Sequence, residues 1–64
     1  MVFSDKVKQV RKQLNVSQEK LAVMLNVSFA TVNRWEKGHA MPSYDTQEKF
    51  NNLCKDNDIQ FEEQ

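Results

Sequence analysis

The chain has 64 residues, with one glycine, one proline, six aromatic residues and 28% charged residues. That makeup fits one small helical domain and excludes a disordered tail or a β-sandwich, which needs more turn residues. Nine basic residues balance nine acidic ones, but residues 1–38 hold seven bases against three acids (+4) and residues 39–64 two bases against six acids (−4), so a neutral total conceals a basic N-terminal half.

No apolar run approaches the ~20 residues of a membrane span, and no charged-then-apolar leader opens the sequence. A single cysteine, Cys54, cannot close an internal disulfide. The expectation is a reducing cytoplasm, with Cys54 a small core residue rather than a reactive thiol. A chain this short buries only about 60% of its unfolded surface, so its core must be local and simple.

The spacing predicts a first helix over about Ser4 to Leu14, capped by Ser4 or Asp5, with Val7, Val10 and Leu14 on one buried stripe. Asn15-Val16 breaks the pattern. Ser17 caps a short second helix, Gln18 to Leu25, which turns Leu21, Ala22 and Leu25 inward. Asn26 follows where the chain must turn sharply, and asparagine tolerates the left-handed conformation. Ser28 caps a third helix through the N–H of Thr31, and Gly38 stands just past its end, the place glycine favours. Pro42 and Ser43 introduce a fourth helix, roughly Tyr44 to Lys55, with Phe50, Leu53 and Cys54 inward. In the closing "DIQFEEQ", Ile59 and Phe61 alternate, which suits either a short strand or a packed tail. Three to five residues between helices make a compact all-α domain.

At about 100° per residue, the third helix divides into two faces. Val32, Trp35 and Glu36 lie together, and an apolar side led by Val32 and Trp35 docks the helix on the first two. Ala30, Asn33, Arg34 and Lys37 form the other side, which has no acid and no aliphatic bulk. Those side chains are of the kinds that read base edges: arginine grips guanine with two bonds, asparagine grips adenine likewise, and alanine leaves room for a thymine methyl. Two short helices joined by a short turn, the second presenting such a face, have the geometry of a helix-turn-helix.

The segment Leu14 to Ser43, "LNVSQEKLAVMLNVSFATVNRWEKGHAMPS", resembles the phage-repressor (Cro- and lambda-repressor-like, XRE-type) helix-turn-helix family. The match lies in the "SQEKLA" opening of the second helix, the small Ala22, the "VS.ATV" start of the third helix and the "RWEKG...P" exit. With the flanking helices it covers about residues 4–55. The resemblance implies a lambda-repressor-like domain of four to five helices over residues 1–64, with the motif at 17–37 and a tail at 56–64. It also implies sequence-specific binding of double-stranded DNA by a bacterial or phage transcriptional regulator.

By the same resemblance, the recognition helix spans about residues 28–36 and brings Phe29, Ala30 and Arg34 to the bases, with Asn33 nearby. Phe29 is ambiguous: its angle leans toward Val32, so it either packs against the domain or touches thymine methyls. Gln18 is expected at the groove edge, touching the backbone and bracing base contacts. Ser17, Lys37, His39 and Ser43 are candidates for phosphate, where helix N-termini offer free N–H groups. Arg11 and Glu36 hold positions that the family joins by a largely buried ion pair.

The resemblance departs in two places. Asn26 stands where the turn usually has glycine, and no fifth helix is evident for dimerisation, although Cro-like members pair through C-terminal strands. A homodimer on a palindromic site therefore stays open, as does a role as the N-terminal DNA-targeting module of a larger protein. The neutral total charge and Phe29 leave a second class open, an antitoxin-like or assembly module that binds protein on the same scaffold. One histidine, one cysteine and no glycine-rich phosphate loop supply no catalytic constellation, so no enzyme, metal or cofactor is expected.

Overall fold

The computed structural model describes residues 1–61. Four helices follow one another: α1 (Phe3–Leu14), α2 (Gln18–Leu25), α3 (Phe29–Glu36) and α4 (Tyr44–Asp56). There is no strand among the described residues. α3 packs against both α1 and α2, and α4 closes on α2, within extents of 26 × 22 × 22 Å.

Three starts follow the capping chemistry of serine. Ser17 Oγ accepts from the Lys20 N–H at 3.0 Å, Ser28 Oγ from Thr31 at 3.1 Å and Ser43 Oγ from Thr46 at 3.4 Å. Each satisfies a backbone donor that the helix itself cannot reach. The first helix departs from expectation. It starts at Phe3 with Val2 as N-cap and no side-chain cap bond, so neither Ser4 nor Asp5 caps it; both lie inside the first turn.

All four helices end the same way. One residue turns left-handed, Asn15 (φ 56°), Asn26 (φ 58°), Gly38 (φ 77°) or Asp58 (φ 52°). The following N–H then reaches back five residues: Val16 to the carbonyl of Arg11, Val27 to Ala22, His39 to Arg34 and Ile59 to Cys54, at 2.9–3.1 Å. This is the Schellman closure, which uses up carbonyls otherwise left open at a helix end.

Val7 and Val10 of α1, Leu21, Ala22 and Leu25 of α2, Val32 and Trp35 of α3, and Phe50 and Cys54 of α4 make the core. Each is at most 8% exposed. Leu14 and Leu53 are half-buried against it. Burial pushes the Cys54 thiol up from its ordinary range, only partly offset by the charge of Lys6, which keeps it a protonated core group. Phe3, outside the helix expected from sequence, joins three elements. Its ring meets Trp35 and Phe50 edge-on, with centroids 5.5 and 5.0 Å apart.

The tail packs rather than pairing as a strand. Ile59 and Phe61 rest half-buried on the core. The Gln60 N–H donates to Gln13 Oε1 at 3.0 Å, Gln13 Nε2 donates back to the Gln60 carbonyl, and Lys6 Nζ lies 5.6 Å from the Phe61 ring centre. The alternation of Ile59 and Phe61 is therefore spent on the chain's own core; the rest of the expected tail, residues 62–64, lies outside the described residues.

Candidate nucleic-acid interface

The interface is built on α2, a three-residue turn and α3. Leu25 is buried, Asn26 bends the chain in the left-handed region, Val27 packs on the core and Ser28 starts α3. Because the turn is short, the core contacts of α2 fix the direction of α3. Val32 and Trp35 are 0% and 2% exposed and Glu36 9%. On the other side, Ala30, Arg34 and Lys37 are exposed and Asn33 is half-buried. Among the described residues, Arg34 forms no ion pair.

Phe29 is 47% exposed and lies outside the core. The reason is geometric. A helical Cα–Cβ bond tilts toward the helix N-terminus, so a side chain at the first position overhangs the end of the packed stripe.

Behind this face, α1 is tied to the end of α3. Arg11 Nε donates to Glu36 Oε2 at 2.5 Å and Nη2 to Oε1 at 2.8 Å, a two-pronged pair. The Glu36 side chain is 7% exposed and that of Arg11 28%. Burial would raise the Glu36 carboxyl, but hydrogen bonds from Arg11 and Gln18 and the charges of Arg11 and Lys8 outweigh it, leaving it below its ordinary value. The hydrogen bond to Glu36, and burial against it, act oppositely on Arg11, whose guanidinium is held further into its charged form.

The influence of the Gln18 side chain on this carboxyl was not anticipated from sequence. Gln18 itself is half-buried at the start of α2.

The remaining candidates divide by what their polar groups already do. Ser17 Oγ accepts its cap bond, and its hydroxyl hydrogen stays available. Ser43 both accepts from the Thr46 N–H and donates to Thr46 Oγ1 at 3.0 Å, so its side chain is committed to the helix start, with Asp45 in the same first turn. Lys37 and His39 are exposed beyond α3. The backbone N–H groups of Gly38 and His39 are occupied by the carbonyls of Trp35 and Arg34, so the main chain there closes the helix and cannot meet a phosphate. No group of three His, Cys, Asp or Glu side chains among the described residues could hold a metal, and no described helix is long and apolar enough to cross a membrane.

A short helix seated by α2 and α1, with a cationic and amidic face turned outward, defines a DNA-binding helix-turn-helix domain. The helix-turn-helix family profile matches residues 7–54, most of the chain, and the protein belongs to that family. The XRE-type resemblance and the all-α fold read from the residues agree with this membership. The HTH-type transcriptional activator BcrR of Enterococcus faecalis is 37% identical over 46 residues. That alignment covers 72% of this chain and 22% of the length of BcrR. No solved structure matches the chain significantly.

Proposed function

We propose that this domain reads double-stranded DNA by sequence, with α3 laid in the major groove, as the DNA-contacting part of a bacterial or phage transcription regulator acting in the cytoplasm. The module is the 1–64 segment, with the motif at 17–37. The observation that carries the reading is the exposed face of Ala30, Arg34 and Lys37 on a helix whose opposite face is buried.

Arg34 is the principal base reader, since it combines charge, reach and a two-pronged donor set. Ala30, Asn33 and Phe29 flank it on α3, and Gln18 supports it from the groove edge. Ser17, Gln18, Lys37 and His39 take phosphates. Ser43 contributes through the first N–H groups of α4 rather than its hydroxyl. No catalytic role is proposed for any of them. One copy reads one half-site, and useful specificity follows when two copies occupy half-sites one helical turn apart on a palindrome.

Duplexes selected from a random pool supply the test. Arg34→Ala should lose roughly 1–3 kcal/mol of binding, about five- to 150-fold, and relax the preference at a guanine. Its far-UV circular dichroism should match wild type, because the side chain is exposed. Unchanged affinity and unchanged preference in a folded variant would sink the proposal.

Two other readings draw on particular observations. Val23, Met41 and Tyr44 are 73%, 69% and 81% exposed, which favours a protein-interaction module on the same scaffold. The 22% share of BcrR that is aligned favours a DNA-targeting module working within a longer protein.

A further inference from the structure

The first turn of α3 offers bases an unusual surface. The Ser28 and Thr31 hydroxyls lie 2.8 Å apart and hydrogen-bond each other, and Ser28 Oγ also takes the Thr31 N–H. The polar side chains of this turn are thus turned back on the helix start. What faces outward is Phe29, 47% exposed, and Ala30, also exposed, with no acid in the turn. Both are apolar. Arg34 stands one turn beyond Ala30 on the same face, while Phe29 lies at the edge of that face toward Val32.

In the major groove, base edges present hydrogen-bond donors and acceptors at every pair, and their apolar feature is the C5-methyl group of thymine. A phenyl ring held at the groove by a capped helix start gains nothing from an amide, amine or carbonyl edge. Against a methyl it gains burial of both apolar surfaces. Resting on the reading of α3 as the groove element, we propose that Phe29 and Ala30 read pyrimidine C5-methyl groups. The half-site then holds thymine beneath the first turn of α3, beside the base pair that Arg34 grips. Phe29 is the specificity-determining residue there, and it discriminates by a methyl group rather than by a hydrogen bond.

Replacing thymine by uracil removes the methyl and leaves the pairing and hydrogen-bonding edge intact. In the duplex selected by the wild-type domain, each half-site thymine is replaced by uracil in turn, and affinity is measured by fluorescence anisotropy. At one or two positions the substitution should weaken wild-type binding about fourfold, the effect of burying roughly one methyl group. In Phe29→Ser the thymine-to-uracil ratio at those positions should fall toward one, while Phe29→Leu keeps most of it.

Equal binding of every thymine and uracil duplex by wild type overturns the assignment, as does an undiminished ratio in Phe29→Ser. Failure of the underlying reading looks different: no sequence is enriched from the pool and Arg34→Ala changes nothing, which overturns both.

Discussion

Glu36 gathers more interactions than any other polar side chain on α3. Its carboxylate is nearly buried and gripped by Arg11 on both oxygens, so it ties α1 to the end of α3, and the Gln18 side chain at the start of α2 also favours its charged form. Removing the cation strands a charge: Arg11→Met should cost about 2–3 kcal/mol, under the roughly 3–5 kcal/mol of fully buried pairs because the guanidinium keeps some solvent. Arg11→Met combined with Glu36→Leu should lose less than Arg11→Met alone, since neither partner is then left unpaired. The pH response has a definite sign. The folded pKa of Glu36 lies below its ordinary 4.5, so the folded state binds this proton less readily than the unfolded chain. The contribution is complete above that value and is lost as pH falls through the folded pKa. Urea midpoints of wild type should therefore decline below about pH 4.5, whereas Glu36→Gln should start lower and decline less. Parallel profiles would show that the pair is not coupled to folding.

The four helices share one punctuation: a capping serine where there is one, then a left-handed residue and a Schellman closure. α1 breaks the rule at its start, where exposed Val2 occupies the N-cap without a bond. Val2→Asp should therefore stabilise the domain by about 0.5–1 kcal/mol, supplying both an acceptor for a free N–H and an anion at the positive end of the helix. A urea midpoint no higher than wild type would show that the first turn of α1 frays regardless of its cap. The same exception marks where the sequence was readable. Ser17, Ser28, Ser43, Asn26 and Gly38 announce boundaries because capping and left-handed turns are local chemistry, and the two faces of α3 follow from its periodicity alone. Ser4 and Asp5 imitate caps, and Val2 carries no cap signal, so the true start and the Phe3 contact with Trp35 and Phe50 stayed hidden. An angular projection leaves Phe29 at the edge between the two faces, because the tilt of its Cα–Cβ bond toward the helix end is absent from a wheel. The influence of Gln18 on Glu36 depends on the fold bringing two helices together, and nothing near either residue signals it.

At the scale of the whole molecule, zero net charge coexists with a strong asymmetry. The motif and its exit expose Lys20, Arg34 and Lys37 against Glu19, whereas α4 and the segment after it expose Asp45, Glu48, Asp56 and Asp58 against Lys49 and Lys55. Arg11 and Glu36 cancel each other in their pair. The motif should therefore attract DNA more strongly than the C-terminal part of α4 and the segment after it, which orients approach without strong non-specific binding. Few cations can neutralise phosphates, so the salt dependence should be shallow for a DNA-binding protein: a slope of log K against log salt of about −1 to −3 for one copy on a duplex with one half-site, from one to three neutralised phosphates. A duplex with two half-sites one turn apart should roughly double that slope and carry two copies by native mass measurement, because each copy releases its own counterions. Equal slopes and one copy on both duplexes would exclude paired occupancy. A flat slope on either would remove phosphates from the interface and leave exposed Val23, Met41 and Tyr44 as the surface to explain, in favour of a protein partner.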